Sequence, residues 1–280
     1  MNKTCYVIAF YLGDRRRKFP AYEADKLCYV RKQIETLDRV KHSLSKIYFV
    51  FNVEVGHYDL LNEALKIIPK KIRDAEVEVI VRENVGFSYG AWSDIMDIAD
   101  HDYYIFNEDD YFFIENEWDG YMVKSFEGKQ NCGGFGVMIG VKRGVENNGE
   151  HFSHSCFCTS REVIKDIKTN YDGFTYPKNS SYPDNQHNQF LFSHILVKAG
   201  YRLYDIREEY GLFFSMTDPE GMETGVKIQK MFNHNEGVHL IVPDIIAFNC
   251  GYTWWDSRNG EWMDEERFRW EFPHPNPSHR

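Results

Sequence analysis

At 280 residues the chain is long enough to bury a full core, and an α/β fold of this length commonly forms one domain. A formal charge of −10 and a pI near 5.6 argue against a role on nucleic-acid backbones, whose binders present a basic face. No apolar run approaches the ~18 residues that cross a bilayer, and the six cysteines include no C-x-x-C pair, so the chain reads as cytoplasmic, without a transmembrane segment, its thiols buried and reduced.

Lys3 followed by Cys5 to Leu12 has the outline of a short signal peptide. It lacks a small-residue cleavage site and runs into Gly13-Asp14-Arg15-Arg16, so it reads as a first, central strand. Leu27, Val30, Ile34, Leu37, Val40 and Leu44 then recur at helical spacing among charged residues. Lys46 to Val53 reads as a second strand, Tyr58 to Ile68 as a second helix, and Val77 to Val81 as a third strand ending in Arg82-Glu83-Asn84. A third helix opens near Ser88 and carries Trp92, Ile95, Met96 and Ala99 to the strand that begins at Tyr103. This alternation predicts an α/β fold with a mixed, mostly parallel sheet flanked by helices and a ligand site at the carboxyl ends of the strands.

Past Asp110 the rhythm changes. Gly133 to Val141 and His154 to Thr159 read as strands, and Ser160 caps a helix through Ile164 and Ile167. A loop rich in Gly, Pro, Asn and Ser spans Asn170 to Gln186. A helix with Leu191, Ile195 and Leu196 ends at Gly200, before Tyr201 to Ile206. The tail from Asn249 holds Trp254, Trp255, Trp262 and Trp270 without clear periodicity.

Two segments carry chemistry. Glu108-Asp109-Asp110 places three carboxylates at the mouth of an apolar strand, where mutual repulsion and desolvation call for a cation; hard oxygen ligands suit Mg²⁺ or Mn²⁺. A solvated acidic turn is the bland alternative. Asn84-Val85-Gly86-Phe87-Ser88-Tyr89-Gly90 is a glycine-bearing loop feeding a helix, whose free N–H groups suit phosphate or ribose, although it is neither G-x-G-x-x-G nor a P-loop. The alternative there is a tight left-handed turn with Tyr89 in the core.

A strand ending Arg82-Glu83-Asn84-x-Gly86, a helix, and a strand ending in acids resembles the nucleotide-binding half of a GT-A (Rossmann-like) glycosyltransferase. Phe157 to Val163, and Asn188-Gln189 through Leu203, are similar to the acceptor side of family-2-like members. The resemblance also brings to mind the glycosyltransferases of large algal viruses, chlorovirus xylosyltransferases for capsid glycans among them. It implies one domain with a nucleotide-binding half (1–110), an acceptor-side half (111–248) and an aromatic tail (249–280). It further implies transfer from a UDP-sugar donor, UDP-xylose in the narrowest form, to a glycan acceptor, in the host cytoplasm if the chain is viral.

The site residues follow from that resemblance. Asp110 would be the principal metal ligand for Mn²⁺ or Mg²⁺, with Glu108 or Asp109 facing the ribose or a coordinated water, and His234 a further ligand. Phe10, Tyr11, Gly13 and Asp14 would border the nucleotide together with Arg82, Asn84, Gly86, Tyr89 and Gly90. Arg15 to Lys18 reads as a solvated face or as an attractor of diphosphate. Where such enzymes carry a Glu-Asp pair, this chain has Asn188-Gln189, neither of which can act as a base, so Asp184 and His187 are the nearest substitutes. Trp254, Trp255 and Asp256 would form an acceptor platform, or else anchor the tail. Two competing functions stand beside this one: a sugar-phosphate nucleotidyltransferase and a non-enzymatic carbohydrate-binding protein.

Overall fold

The computed structural model describes residues 3–13, 25–109, 111–113, 116–139, 151–171 and 192–205, with the backbone of strands 246–248, 253–256 and 261–264. Strand β1 (Thr4–Leu12) carries no charge, and every residue but Tyr11 is buried. Only a strand covered on both faces tolerates that composition, and β1 lies between β2 (Lys46–Val53) and β5 (Tyr103–Glu108), parallel to both. Beyond β2 runs β4 (Ala75–Glu83), also parallel, edged by the short antiparallel β3 (Lys71–Ile72). Beyond β5, β8 (His151–Ser160) runs antiparallel to both β5 and β7 (Cys132–Ile139), and β9 (Arg202–Asp205) closes that edge parallel to β7. The sheet order is β3-β4-β2-β1-β5-β8-β7-β9. Two small ribbons stand apart from this sheet: β6 (Tyr111–Phe113) with β10 (Ile246–Phe248), and β11 (Thr253–Asp256) with β12 (Glu261–Asp264).

Helices α1 (Cys28–Arg39) and α2 (Tyr58–Ile67) link β1 to β2 and β2 to β4, stepping the same way across the sheet. Helix α3 (Phe87–Ile98) links β4 back across to β5, and right-handed crossovers therefore place it on the opposite face. Ring contacts agree. Trp92 of α3 packs on Phe106 and Phe157, whereas Tyr6 packs edge-on against Trp118 of α4 (Trp118–Glu127) at 4.9 Å. Tyr6 pairs with Ile105, whose neighbour Phe106 points the other way, so the two tryptophans fill two separate layers. Helix α5 (Arg161–Asn170) begins at Ser160, whose hydroxyl accepts from the Val163 amide, as expected of an N-cap. A last helix, α6 (192–198), ends before Gly200 at φ +89°.

Five features differ from the sequence reading. Helix α1 stops at Arg39 although apolar spacing continues to Leu44. Val40 is extended, and the chain after it is tied to the start of α4: the Lys41 and Ser43 amides donate to the Asn116 and Asp119 side chains at 2.8 and 2.7 Å. Helix α4 itself was not anticipated, although Trp118, Met122 and Phe126 repeat every four residues and are buried. Strands β3 and β10 and the β11–β12 hairpin in the aromatic tail were also missed. Cys5, Cys28, Cys132, Cys156 and Cys158 are buried free thiols as expected, and burial pushes Cys132 up to about 12; Cys250 lies outside the described residues.

The amino ends of the parallel strands are closed by charge and one buried histidine. The Lys3 amide donates to Asp102 Oδ2 at 2.7 Å, and Arg161 bridges Asp102 and the His101 carbonyl at 2.9 and 3.0 Å. His101 Nε2 lies 3.0 Å from the Tyr48 hydroxyl, and Nδ1 lies 3.5 Å from Ser45 Oγ. Burial, then Lys46, Lys3 and Arg161, hold the imidazole below its ordinary value of 6.5, outweighing Asp100. The unfolded chain therefore binds this proton more readily. His101 contributes full stability above pH 6.5 and loses it as pH falls through the lower folded value. His42 titrates in the same direction, so the comparison needs a variant. Urea midpoints at pH 7 and pH 5 should differ more for the parent than for His101→Asn.

Candidate functional site

The parallel strands deliver their carboxyl ends to one edge. Register pairs Tyr11 with Asn52, Asn52 with Arg82, and Ala9 with Glu108, and strand alternation puts Tyr11, Asn52, Arg82 and Glu108 on the α3 face. Glu108, half-buried at the end of β5, accepts a hydrogen bond from Ser88 Oγ in the first turn of α3. Asp109 turns the other way. It is buried, its Oδ2 accepts from the Tyr11 amide at 3.2 Å, and its carbonyl accepts from Gln33 Nε2 of α1 at 3.0 Å. Adjacent acids are thus split between the helix start and the end of β1, which relieves their repulsion.

The turn between β4 and α3 depends on two glycines. Gly86, at φ +75°, is the N-cap residue and leaves the helix start without a side-chain cap. At Gly90 an added Cβ would lie 2.2 Å from the Val85 carbonyl oxygen and 2.9 Å from Arg82 Nη2, so only hydrogen fits. Arg82 spans the turn. Its Nε donates to Asp94 Oδ2 at 2.6 Å, Nη1 to Asn52 Oδ1, and Nη2 to the Val85 carbonyl at 2.9 Å. Beside it Asn84 is about nine-tenths buried, and its Oδ1 has no hydrogen-bond partner. An unpartnered buried amide oxygen costs about 1–3 kcal/mol unless a ligand or water completes it.

The end of β1 separates the expected residues. Phe10 is 1% exposed and packs on Phe49 and Phe51 at 5.1 and 5.0 Å, so its ring belongs to the core and cannot stack on a base. Tyr11 is half-buried, and its phenol lies so close over Gly13 that an added Cβ would meet Tyr11 Oη at 2.3 Å and Glu54 Oε2 at 2.6 Å. Tyr89 is likewise a core aromatic, on Trp92 and Phe192 at 4.8 and 5.8 Å, and burial followed by the Glu108 charge raises its hydroxyl well above 10.

One edge therefore gathers Tyr11, Gly13, Arg82, Asn84, Gly86, Gly90, Glu108 and Asp109. Asp14, Asp110, Asp184, His187 and His234 lie outside the described residues, and Trp254, Trp255 and Asp256 are placed by backbone alone, in β11. Among the described residues no three ligand side chains form a metal cluster. Sequence reasoning missed Asn52, Ser88, Asp94, Gln33 and Glu54. Asn52 carried a usable signal, a lone polar residue in the apolar run Ile47–Val53, and the structure buries it with its amide donating to the Phe10 carbonyl at 3.2 Å.

No protein-family model matches the chain, and no curated protein sequence matches it. Solved structures that it resembles include the mannosyltransferase PcManGT from Pyrobaculum calidifontis in complex with GDP-Man and Mn²⁺, at 11% identity and a TM-score of 0.45 over 73% of this chain and 54% of that one. The glycosyltransferase GlyE of Streptococcus pneumoniae matches at 14% identity and 0.39, over 75% and 49%. A 4-diphosphocytidyl-2C-methyl-D-erythritol synthase from Anaerococcus prevotii matches at 11% and 0.45, over 73% and 86%. The chain thus spans about half the length of the two glycosyltransferases, and at these scores the likeness is one of outline alone.

Gly86→Ala should destabilise the fold by about 1 kcal/mol, because an L side chain is strained at positive φ. Chemical denaturation against the parent measures it.

Proposed function

We propose that the chain is a metal-dependent glycosyltransferase of GT-A type. It takes a sugar from a nucleotide-diphosphate donor, a UDP-sugar and in the narrowest form UDP-xylose, and passes it to a glycan hydroxyl with inversion. The observation that carries this reading is the convergence, at one carboxyl edge, of an acid-bearing strand end, an uncapped glycine-led helix start and the unpartnered Asn84 amide oxygen. The open first turn of α3 favours an anion. Glu108, held to the same turn by Ser88, disfavours one. A diphosphate fits there only with a cation beside it.

The residues present fit Mn²⁺ or Mg²⁺ in kind. Glu108 offers a hard oxygen at the strand mouth, Asp110 follows two residues later, and Asp109 faces the other way, with one oxygen on the Tyr11 amide. Glu108 and Asp110 are therefore the proposed ligands, with His234 as a further one. Such an ion, when bound, neutralises the departing diphosphate. Tyr11 and Gly13 border the nucleotide, with Asp14 beyond them. Asp184 is the proposed base that takes the acceptor hydroxyl's proton, with His187 the nearest substitute. Trp254, Trp255 and Asp256 offer the acceptor an aromatic face and a carboxylate. Among the described residues no helix is long and apolar enough to cross a membrane, and the proposed setting is the cytoplasm.

Incubation with a panel of UDP-sugars should release UDP from one donor with Mn²⁺ and not with EDTA. Asp110→Ala should lower that rate about 100-fold. Asn84→Ala should raise KM for the donor roughly tenfold while the fold survives, as one lost polar contact predicts. Pyrophosphate release from a nucleoside triphosphate would instead mark a nucleotidyltransferase. Glycan binding independent of nucleotide and metal would mark a carbohydrate-binding protein.

A further inference from the structure

Arg82 is expected from sequence to touch a ligand, yet its guanidinium reaches three parts of the protein among the described residues. Nε meets Asp94 of α3, Nη1 meets Asn52 of β2, and Nη2 meets the Val85 carbonyl in the turn. The side chain is only 10% exposed, so these charge-assisted bonds act out of water, where they are stronger. Asn52 extends the chain by donating to the Phe10 carbonyl of β1. Four segments that meet at the carboxyl edge are therefore joined through one planar fork.

Gly90 leaves the room in which this fork sits. The Val85 carbonyl accepts from Arg82 and abuts the backbone of α3, where a Cβ on Gly90 would stand 2.2 Å from the carbonyl oxygen and 2.9 Å from Arg82 Nη2. Further along the turn, the Val85 amide donates to the Glu83 carbonyl at 2.8 Å and the Gly90 amide to the Gly86 carbonyl at 2.9 Å. Asn84 and Gly86 lie within this clamped stretch, so their placement depends on both contacts.

We infer that Arg82 is a positioning residue: it clamps the turn 84–90 between β2 and α3 so that Asn84 and the first turn of α3 are held at the site, rather than lending its own charge to a ligand. The identity of that ligand rests on the nucleotide reading above; the clamp does not.

Asp94→Asn tests this from the α3 side of the clamp, since the Asp94 side chain is 37% exposed and is not part of the core. Hydrogen exchange at the Val85 and Gly90 amides, without ligand, should become about tenfold faster. Affinity for UDP with Mn²⁺, by calorimetry, should fall by a similar factor. Gly90→Ala, which keeps every charge, should reproduce both effects. Unchanged exchange in Asp94→Asn overturns the clamp. Unchanged or tighter UDP binding in Asp94→Asn, as a guanidinium released toward phosphate would give, overturns the positioning role and makes Arg82 a direct contact. If the parent binds no UDP, the nucleotide reading fails, while the exchange measurement still decides the clamp.

Discussion

The burial of β1 on both faces is the constraint from which the remainder follows. A strand whose side chains are nearly all inaccessible must be paired on both edges and covered on both faces. Parallel neighbours meet the first demand, and parallel pairing requires crossovers, so α1 and α2 fill one layer and α3 the other. The same geometry brings the carboxyl ends of β1, β2, β4 and β5 together. The edge proposed to bind the nucleotide is thus a by-product of how the central strand is buried.

The two ends of the sheet hold their polar groups by different means. At the amino end, Lys3, Asp102, Arg161, His101 and Tyr48 satisfy one another, and depressing the histidine's proton affinity keeps a buried ring uncharged. At the carboxyl end the helix start has no side-chain cap and Asn84 Oδ1 has no partner, while Glu108 and Asp109 are drawn in opposite directions. Each unpartnered buried group is a net cost, and Asp119 Oδ1 beside the amino end is another. At the carboxyl edge the proposed ligand would complete the Asn84 oxygen.

Where local pattern and global fold coincide, the sequence was legible. The apolar run Cys5 to Leu12, the alternation up to Glu108 and the Ser160 cap appear within a residue or two of their places. Helix α1 ended early because its apolar spacing continued into a segment held by hydrogen bonds from residues far along the chain, which no local window contains. Phe10 and Tyr89 were assigned to a ligand because aromatic type does not reveal which face of an element is covered. Arg82 was the subtler case. Its position at the strand end was right, and its partners Asn52, Val85 and Asp94 became visible only with the register of β2 on β4 and the path of the turn.

The central claim is that the carboxyl edge, and not the amino edge, holds the nucleotide. Hydrogen–deuterium exchange of the intact chain, with and without UDP and Mn²⁺, addresses it directly. Protection should rise at residues 11–13, 84–90 and 107–109 and stay unchanged around Lys3, Ser45 and His101. Protection centred on the amino edge, or no change anywhere while UDP is shown to bind, would contradict it.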